Sequence, residues 1–315
     1  MSINWGFIGA GMVATTALAP AVKAAKNATL YAVASMDINR ARALNPMIAY
    51  DNYDALINDP KVDGVYISLP NHLHAHWTIK ALQAGKHVLC EKPLAMNLDE
   101  AMEMFEVAEA NQRLLVEAIW FRWHPRFIKA QEVIARGEIG IIKEITATFA
   151  FRNTSAGNYR FNPQAGGGSL LDLGPYLLHA LVALTSSEVL LKINKVNQSI
   201  GPSGVDTTTS VNATVNNGLG LDIFASFEAD EKQELIITGS KGTLTFPKGH
   251  AFTNWNEPSQ LRVSDQIFDF IETDPYQIMI ESTSASVAGE DSWIVPKSES
   301  IFVMKSLDLI REHGG

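Results

Sequence analysis

The chain has 315 residues, 46% of them hydrophobic and 19% charged, with 25 Lys plus Arg against 34 Asp plus Glu and a formal net charge of −9. That length exceeds one average domain, and the composition excludes a disordered, collagen-like or coiled-coil chain. The acidic balance argues against nucleic acid or an anionic membrane as the main partner, and the single Cys90 can neither close an internal disulfide nor build a cysteine cluster for zinc, which fits a reducing cytoplasm.

The first apolar stretch, residues 5–22, resembles an export signal only superficially. No Lys or Arg precedes it, and Gly6, Gly9, Gly11 and Pro20 interrupt it. No segment reaches the roughly 18 uninterrupted apolar residues of a membrane span. From there to about residue 120, short runs rich in Val, Ile and Leu alternate with helical patterns. Strands are predicted at 3–8, 29–35, 63–69, 86–90 and 113–118, and the clearest helix at 97–111, where Asn97 or Asp99 can cap an apolar stripe of Ala101, Met104, Phe105 and Ala108. Such alternation predicts a doubly wound parallel α/β sheet, since right-handed crossovers cover both faces.

After about residue 140 the period changes to two. Strands are predicted at 143–152, 190–199, 207–216, 219–228, 233–238 and 242–247, with hairpin turns at Asn217-Gly218 and at Gly239-Ser240-Lys241-Gly242. Helical patterns interrupt them near 170–185, 275–288 and 300–312. The fold class expected is therefore an N-terminal Rossmann-type sheet followed by an α+β domain on a mostly antiparallel sheet.

Gly9-Ala10-Gly11-Met12-Val13-Ala14 is a G-x-G-x-x-A element between a predicted strand and a helix. Its glycines permit a tight turn and close approach to a pyrophosphate, whose charge the helix N-terminus favours. At the end of the second strand, Ser35 and Arg40 suit a 2′-phosphate while Asp37 suits a 2′-hydroxyl, so NAD and NADP both stay open and the balance leans to NADP. Lys92 ends the fifth strand in Cys90-Glu91-Lys92-Pro93, at the carboxyl edge where such sheets bind ligands. A buried lysine there can take or relay the proton that a carbinol loses when hydride leaves it. Asp172, Tyr176 and His179 fall at i, i+4 and i+7, on one face of a helix that Pro175 complicates. Either they form a polar cluster facing the nicotinamide, or they are a capping Asp, a core Tyr and a satisfied His. Trp120, Arg122, Trp123 and His124 either line a sugar-sized pocket or pack at the domain junction. His72, His74 and His76 alternate without a local carboxylate, so no metal is expected.

In this order the motifs resemble the glucose–fructose oxidoreductase/inositol dehydrogenase (Gfo/Idh/MocA) family over nearly the whole chain. They are G-x-G-x-x-A, Pro70-Asn71 with His74, Glu91-Lys92-Pro93, the run from Glu117 to Pro125 with Trp120, Arg122 and His124, and Gly166-Gly167-Gly168 leading through Leu170 to Asp172, Gly174 and Tyr176. Gly239 with Gly242 and Asp274-Pro275-Tyr276 complete the set. Tyr176 stands where inositol dehydrogenases carry histidine, so the likeness is to the branch of dihydrodiol and NADP-linked aldose dehydrogenases. The resemblance implies a dinucleotide-binding domain at 1–121 and a substrate-binding, dimerising domain at 122–315. It implies Lys92 as catalytic lysine, Tyr176 as acid/base and Asp172 as the carboxylate that orients substrate. Gly9, Gly11, Met12, Ser35, Met36, Arg40, Ser68, Asn71, His74, Glu91 and Lys92 would hold NADP or NAD, and Trp120, Arg122 and His179 the substrate. The implied activity is hydride transfer between nicotinamide and a carbinol carbon of a sugar, polyol or cyclic diol, in a cytoplasmic homodimer paired through the C-terminal sheet. NADP-using aldose dehydrogenases of this kind usually place Arg after the serine that Ser35 matches, and this sequence has Met36. Two other activities share the fold, a non-catalytic cofactor-binding regulator and an NAD-dependent glycosidase.

Overall fold

The computed structural model describes residues 2–153, 157–185, 190–216 and 218–314. In chain order the elements begin with strand β1 (Ile3–Ile8), helix α1 (Ala19–Ala24), β2 (Ala28–Ala34), α2 (Ile38–Ala43), β3 (Ile48–Tyr50), α3 (Tyr53–Ile57), β4 (Gly64–Ile67), α4 (His74–Gln83), β5 (His87–Glu91), α5 (Leu98–Ala110) and β6 (Leu115–Ala118). There follow α6 (Pro125–Ala135), β7 (Ile142–Ala150), α7 (Ser169–Leu184), β8 (Leu191–Ile200), β9 (Asp206–Val215), β10 (Leu219–Ser226), β11 (Lys232–Gly239), β12 (Thr243–Lys248), β13 (Ser259–Val263), β14 (Gln266–Phe270), α8 (Pro275–Val287) and α9 (Lys297–Gly314).

The chain forms two compact units, Met1–Trp120 with Pro275–Lys297, and Phe121–Asp274 with Ser298–Gly315. The first therefore takes in a late return, 275–297, that a single boundary after residue 121 does not include. Its anchors are visible: the Trp5 indole N–H donates to Ser284 Oγ at 2.9 Å, and Asn27 Nδ2 donates to the Glu281 carbonyl at 2.9 Å. Its sheet runs β3-β2-β1-β4-β5-β6, every pair parallel. The order reverses at β1, so the β1 and β4 connections leave in opposite directions and open a crevice at their carboxyl ends. Trp5, Phe7, Ile8, Val65, Tyr66 and Leu89 are fully enclosed, each worth about 1.5–3 kcal/mol of transfer free energy. Asn97 provides the α5 cap, its Oδ1 accepting from the Glu100 amide at 2.9 Å. The three-residue edge strand β3 is too short to leave a pattern in sequence.

The second unit is built on an eight-stranded sheet, β14-β13-β12-β11-β7-β10-β9-β8. All its pairs are antiparallel except β7 with β10, which run parallel. The sheet is thus mostly antiparallel, as expected after residue 140; β7 and β10 are separated by α7 and the β8–β9 hairpin, so the intervening chain makes a crossover and this one pair is parallel. The β9–β10 connection includes Asn217, which lies outside the described residues, but the two strands it joins are paired as the Asn-Gly signal predicts. Strands β13 and β14 were not foreseen. Helix α7 lies against β7, β9 and β10 and is buried on nearly every side. The segment 163–184 is long and apolar enough to cross a membrane, but 89% of its apolar window is buried inside the protein, as in a core helix. Glycine at 174 lets Leu307 of α9 pack on it, since a Cβ there would stand 2.8 Å from Leu307 Cδ2.

Candidate active site

The glycine turn follows β1 as the spacing predicts. Gly9 has φ +95°, its amide donates to Ala34 O at 2.9 Å, and a Cβ there would collide with the Ser68 carbonyl oxygen. Only glycine fits, because both the backbone conformation and the space exclude a side chain. At Gly11 a Cβ would sit 3.4 Å from Ser68 Oγ, so Ser68 lines the same turn. The helix starts at residue 12, and Thr15 makes its first bond back to Gly11 O at 3.0 Å. The amides of residues 12–14 precede that ladder and form the positive end suited to a phosphate. Met12 and Met36 expose 73% and 78% of their surface beside this turn and at the end of β2, an arrangement suited to covering a flat apolar ligand group.

At the end of β2, Ser35 is buried and its Oγ accepts from the Asp37 amide at 3.3 Å. Asp37 caps α2, its Oδ1 taking the Asn39 amide at 2.9 Å. One oxygen of that carboxylate is thus engaged by the helix start. Arg40, exposed, donates from Nη2 to Ala10 O at 2.5 Å and so lies over the glycine turn. Tyr53, which the sequence reading missed, joins them: burial raises its pKa while Arg40 and a backbone bond with Met36 pull it down. Its ring stands edge-on to Trp77 at 4.9 Å.

At the end of β5 the carboxylate of Glu91 accepts from the Tyr66 hydroxyl at 2.6 Å. Enclosure pushes the Glu91 carboxyl up to about 7, with Tyr66 and Lys92 pulling it down and Glu117 adding to the rise. Lys92 is half-buried rather than buried, standing just past the end of β5 where the strand leaves the sheet. Glu117, fully buried on the neighbouring strand β6, adds a second acid in electrostatic reach of Glu91. Asn71 is buried in the turn before α4. His74 is also fully buried, and its two nitrogens face carbonyls, Nδ1 to Pro93 O at 2.8 Å and Nε2 to Leu69 O at 2.9 Å. Burial lowers its pKa, opposed by those two carbonyls, with Lys92 adding to the fall and Glu117 opposing it. Both carbonyls can only accept, so the neutral imidazole that burial favours donates to one of them and packs against the other, placing the ring between the β4 loop and the Lys92-Pro93 step.

In the second unit, α7 carries Asp172, Tyr176 and His179, all buried. Asp172 does not cap the helix. Gly168 is the N-cap, at φ +120°, where a Cβ would collide with Asp206 Oδ1. Asp206, at the start of β9, supplies the cap from a distance: its Oδ2 accepts from Ser169 Oγ at 2.6 Å and the Leu170 amide at 2.8 Å. This leaves Asp172 to pair with Arg160, whose Nε donates to Oδ2 at 2.6 Å. The Tyr176 ring sits among Phe121, Phe149 and Phe252, with centroids 5.9, 5.3 and 6.4 Å away. Pro175 falls inside the helix, where its missing N–H takes one bond from the ladder.

Trp120 stacks on Tyr276 at 4.5 Å in the first unit. Arg122, in the second, is 1% exposed and donates from Nη1 to Glu299 Oε2 at 2.5 Å, which fastens α9 to the 120–123 turn. His124 caps α6 through Nδ1, which accepts from the Arg126 amide at 3.1 Å. Both therefore also serve as packing at the start of the second unit. His72 and His76 are exposed while His74 is enclosed, and among the described residues no group of three His, Cys, Asp or Glu could hold a metal.

Residues 3–118 match the sequence profile of an oxidoreductase family with an NAD-binding Rossmann fold, GFO_IDH_MocA, and residues 127–245 match that of the GFO/IDH/MocA C-terminal domain. The chain is 31% identical to D-xylose 1-dehydrogenase (NADP(+)) 2 of Haloferax volcanii, over 98% of this chain and 96% of that relative. It is 33% identical to mouse trans-1,2-dihydrobenzene-1,2-diol dehydrogenase over 79% and 75% of the two chains. The structure resembles the crystal structure of a 3-ketoreductase from Actinomadura kijaniata in complex with NADP and TDP-benzene, at TM-score 0.91 and 26% identity, covering 100% of this chain and 98% of that one. With its glycine turn on a parallel sheet and its second sheet both matched, this chain belongs to the Gfo/Idh/MocA family of NAD-binding oxidoreductases.

Proposed function

We propose that this oxidoreductase is an NADP-preferring dehydrogenase or reductase acting on a carbinol or keto carbon of an aldose, a sugar derivative or a cyclic diol. The observation that carries the reading is a phenol and a carboxylate, Tyr176 and Asp172, one turn apart on a buried helix, in a chain where Lys92 directly follows β5 of the parallel sheet. The activities named for the relatives support it: a D-xylose dehydrogenase, a dihydrobenzenediol dehydrogenase and a 3-ketoreductase.

The cradle at Gly9 and Gly11 fits a pyrophosphate, and Met12, Ser35, Met36, Arg40, Ser68, Asn71 and Glu91 would complete the dinucleotide site, with His74 holding its loops. Arg40 favours a 2′-phosphate because it lies over the glycine turn, while Asp37, its competitor for a ribose hydroxyl, has one of its two oxygens engaged by the α2 cap. Bound nicotinamide supplies the hydride acceptor or donor. Oxidation of a carbinol releases one proton from its hydroxyl, and Tyr176 takes it, with Lys92 relaying charge and Asp172 orienting the neighbouring hydroxyl. In reduction the same phenol returns the proton. Trp120, Arg122 and His179 shape the surroundings of the substrate from buried positions.

We infer a cytoplasmic homodimer paired through the outer face of the second sheet. There Thr146, Ser210, Asn212, Asp222 and Phe224 line a shallow hollow of about 320 Å³; light scattering of the purified chain reads its mass directly. The activity is tested with D-xylose, trans-dihydrobenzenediol and myo-inositol, each with NADP and with NAD, following reduced nicotinamide. NADP-linked turnover of an aldose or diol is expected. Absence of reduced cofactor with every substrate, at verified cofactor binding, would overturn the assignment.

A further inference from the structure

The turn before α7 carries a residue that the chemistry above leaves unused. Arg160 lies in a 3-10 turn, Tyr159–Phe161. Its side chain is 23% exposed and that of Asp172 is 5% exposed, so their 2.6 Å contact is a largely desolvated ion pair. The backbone around it is tightly set. The Arg160 amide donates to Asn158 Oδ1 at 3.1 Å, and its carbonyl accepts from the Gly168 amide at 2.9 Å. A Cβ at Gly167 would stand 2.5 Å from that same carbonyl oxygen. The glycine run therefore lets the start of α7 press against the Arg160 turn, which brings the guanidinium to Asp172.

Burial works against the guanidinium charge, but Asp172, then Tyr159 and Tyr176, outweigh it and raise the Arg160 pKa. The Tyr159 ring lies 4.9 Å below the guanidinium. The other ionisable groups around this end of α7 are few. His179 lies on the helix itself, and Asp206 approaches from β9 with its carboxylate engaged by Ser169, Leu170 and Thr209. On β10 Asp222 bonds Asn212 of β9, and on α6 Arg126 bonds the carbonyls of 248, 250 and 251. On β7, Lys143 and Glu144 are exposed at the strand start, as Lys129 and Glu132 of α6 pair with each other. Phe121, Phe149 and Phe252 pack around the Tyr176 ring.

A carboxylate oxygen that accepts from a guanidinium is a weak base held in one orientation. Asp172 is thereby suited to orient a hydroxyl and unsuited to remove its proton. The same cation, paired to a carboxylate one helical turn from the phenol and in electrostatic reach of Tyr176, attracts a negative charge placed there. We propose that Arg160 is a positioning residue of the active site, fixing Asp172 and supplying the positive charge that stabilises the anionic form of Tyr176 as it exchanges a proton with substrate. The proposal rests on the reading of Tyr176 as the acid/base group.

The test is a test of sign. In D-xylose oxidation with NADP, the rise of kcat/KM with pH is compared in the wild-type protein, Arg160→Met, Arg160→Lys and Asp172→Asn. Removing the cation moves the rise to higher pH by about one unit or more, and removing the anion, with the guanidinium kept, moves it to lower pH. Arg160→Lys keeps the charge and stays near wild type. Tyrosinate absorbance, each titration differenced against the same protein carrying Tyr176→Phe, gives the same three signs without any substrate. Shifts of Arg160→Met and Asp172→Asn in one direction, or none in either, overturn the proposal. Should Arg160→Met fail to fold, an unshifted Asp172→Asn, which is isosteric, overturns it alone. Tyr176→Phe separates the two levels: full turnover in that variant defeats the acid/base reading, whereas lost turnover beside unshifted Arg160 and Asp172 variants defeats the Arg160 role only.

Discussion

The two units build their functional groups by different means. In the first, the site is made of backbone: a glycine turn against the Ser68 carbonyl, helix amides, and a histidine ring set between two carbonyls. In the second, it is made of side chains held by other side chains, with Asp172 on Arg160 and the helix start on Asp206. Their electrostatics are also opposite. Lys92, a cation, stands beside Glu91 and near Glu117, while Tyr176, a latent anion, lies near Arg160. A chain that must bind a common cofactor needs a fixed backbone shape, and one that must move a proton needs charges whose balance can be tuned. On the proposed reading the two requirements fall in separate parts of one sequence.

The largest expected effects divide along that line. Tyr176→Phe and Lys92→Ala should each lower kcat by about 10²–10⁴-fold, the usual contribution of a positioned acid or base. NADP affinity, measured by quenching of protein fluorescence, should survive Tyr176→Phe within about threefold, or about 0.7 kcal/mol. Loss of cofactor binding in Tyr176→Phe would break the division of labour.

Glu91 gives the next effect, through pH. A carboxyl whose folded-state pKa lies above its unfolded value holds its proton more tightly when folded. Its stabilising share is fullest below the unfolded value and is lost as pH rises through about 7. The loss amounts to at most about 3 kcal/mol for a rise of that size. Between pH 5 and pH 8 the cofactor-free protein should therefore lose more urea resistance than Glu91→Gln, and parallel pH profiles for the two would show that Glu91 is ionised in both states.

Asp206→Ala sharpens the second half of the comparison. It removes the acceptor for Ser169, Leu170 and Thr209, at a cost of about 1–3 kcal/mol. Chemical denaturation reads that cost, and NADP affinity should not change. The smallest effect belongs to Arg40→Leu, which should lower the preference for NADP over NAD by about tenfold, or about 1.4 kcal/mol. An unaltered ratio of kcat/KM for the two cofactors would remove Arg40 from phosphate recognition.

Much of the first unit was legible in the sequence because its signals are local. The glycine spacing, the apolar runs and the Asn97 cap each operate within a few residues, and five of six parallel strands follow from them. The exception, β3, offers three residues and no pattern. In the second unit the spacing of Asp172, Tyr176 and His179 foretold one face of a helix, yet the same pattern left Asp172 also readable as an N-cap. What excluded that was Asp206, 36 residues away from Leu170 in sequence. Tyr53 beside Arg40 left no mark in the chain either, since nothing in its neighbours distinguishes it from a surface tyrosine.

The sequence alone determined the fold class, the glycine cradle after β1, the lysine just past β5 and the helix bearing Asp172 and Tyr176, because periodicity, turn chemistry and steric need are written within about ten residues. Only the tertiary structure decided that β7 and β10 run parallel, that Asp206 caps α7, that Asp37 caps α2 and that Arg160 holds Asp172. Each of these depends on which distant group reaches a carboxylate or a strand edge first. That choice is made by packing, which brings partners tens of residues apart within 3 Å and buries them where an unpaired charge would be costly.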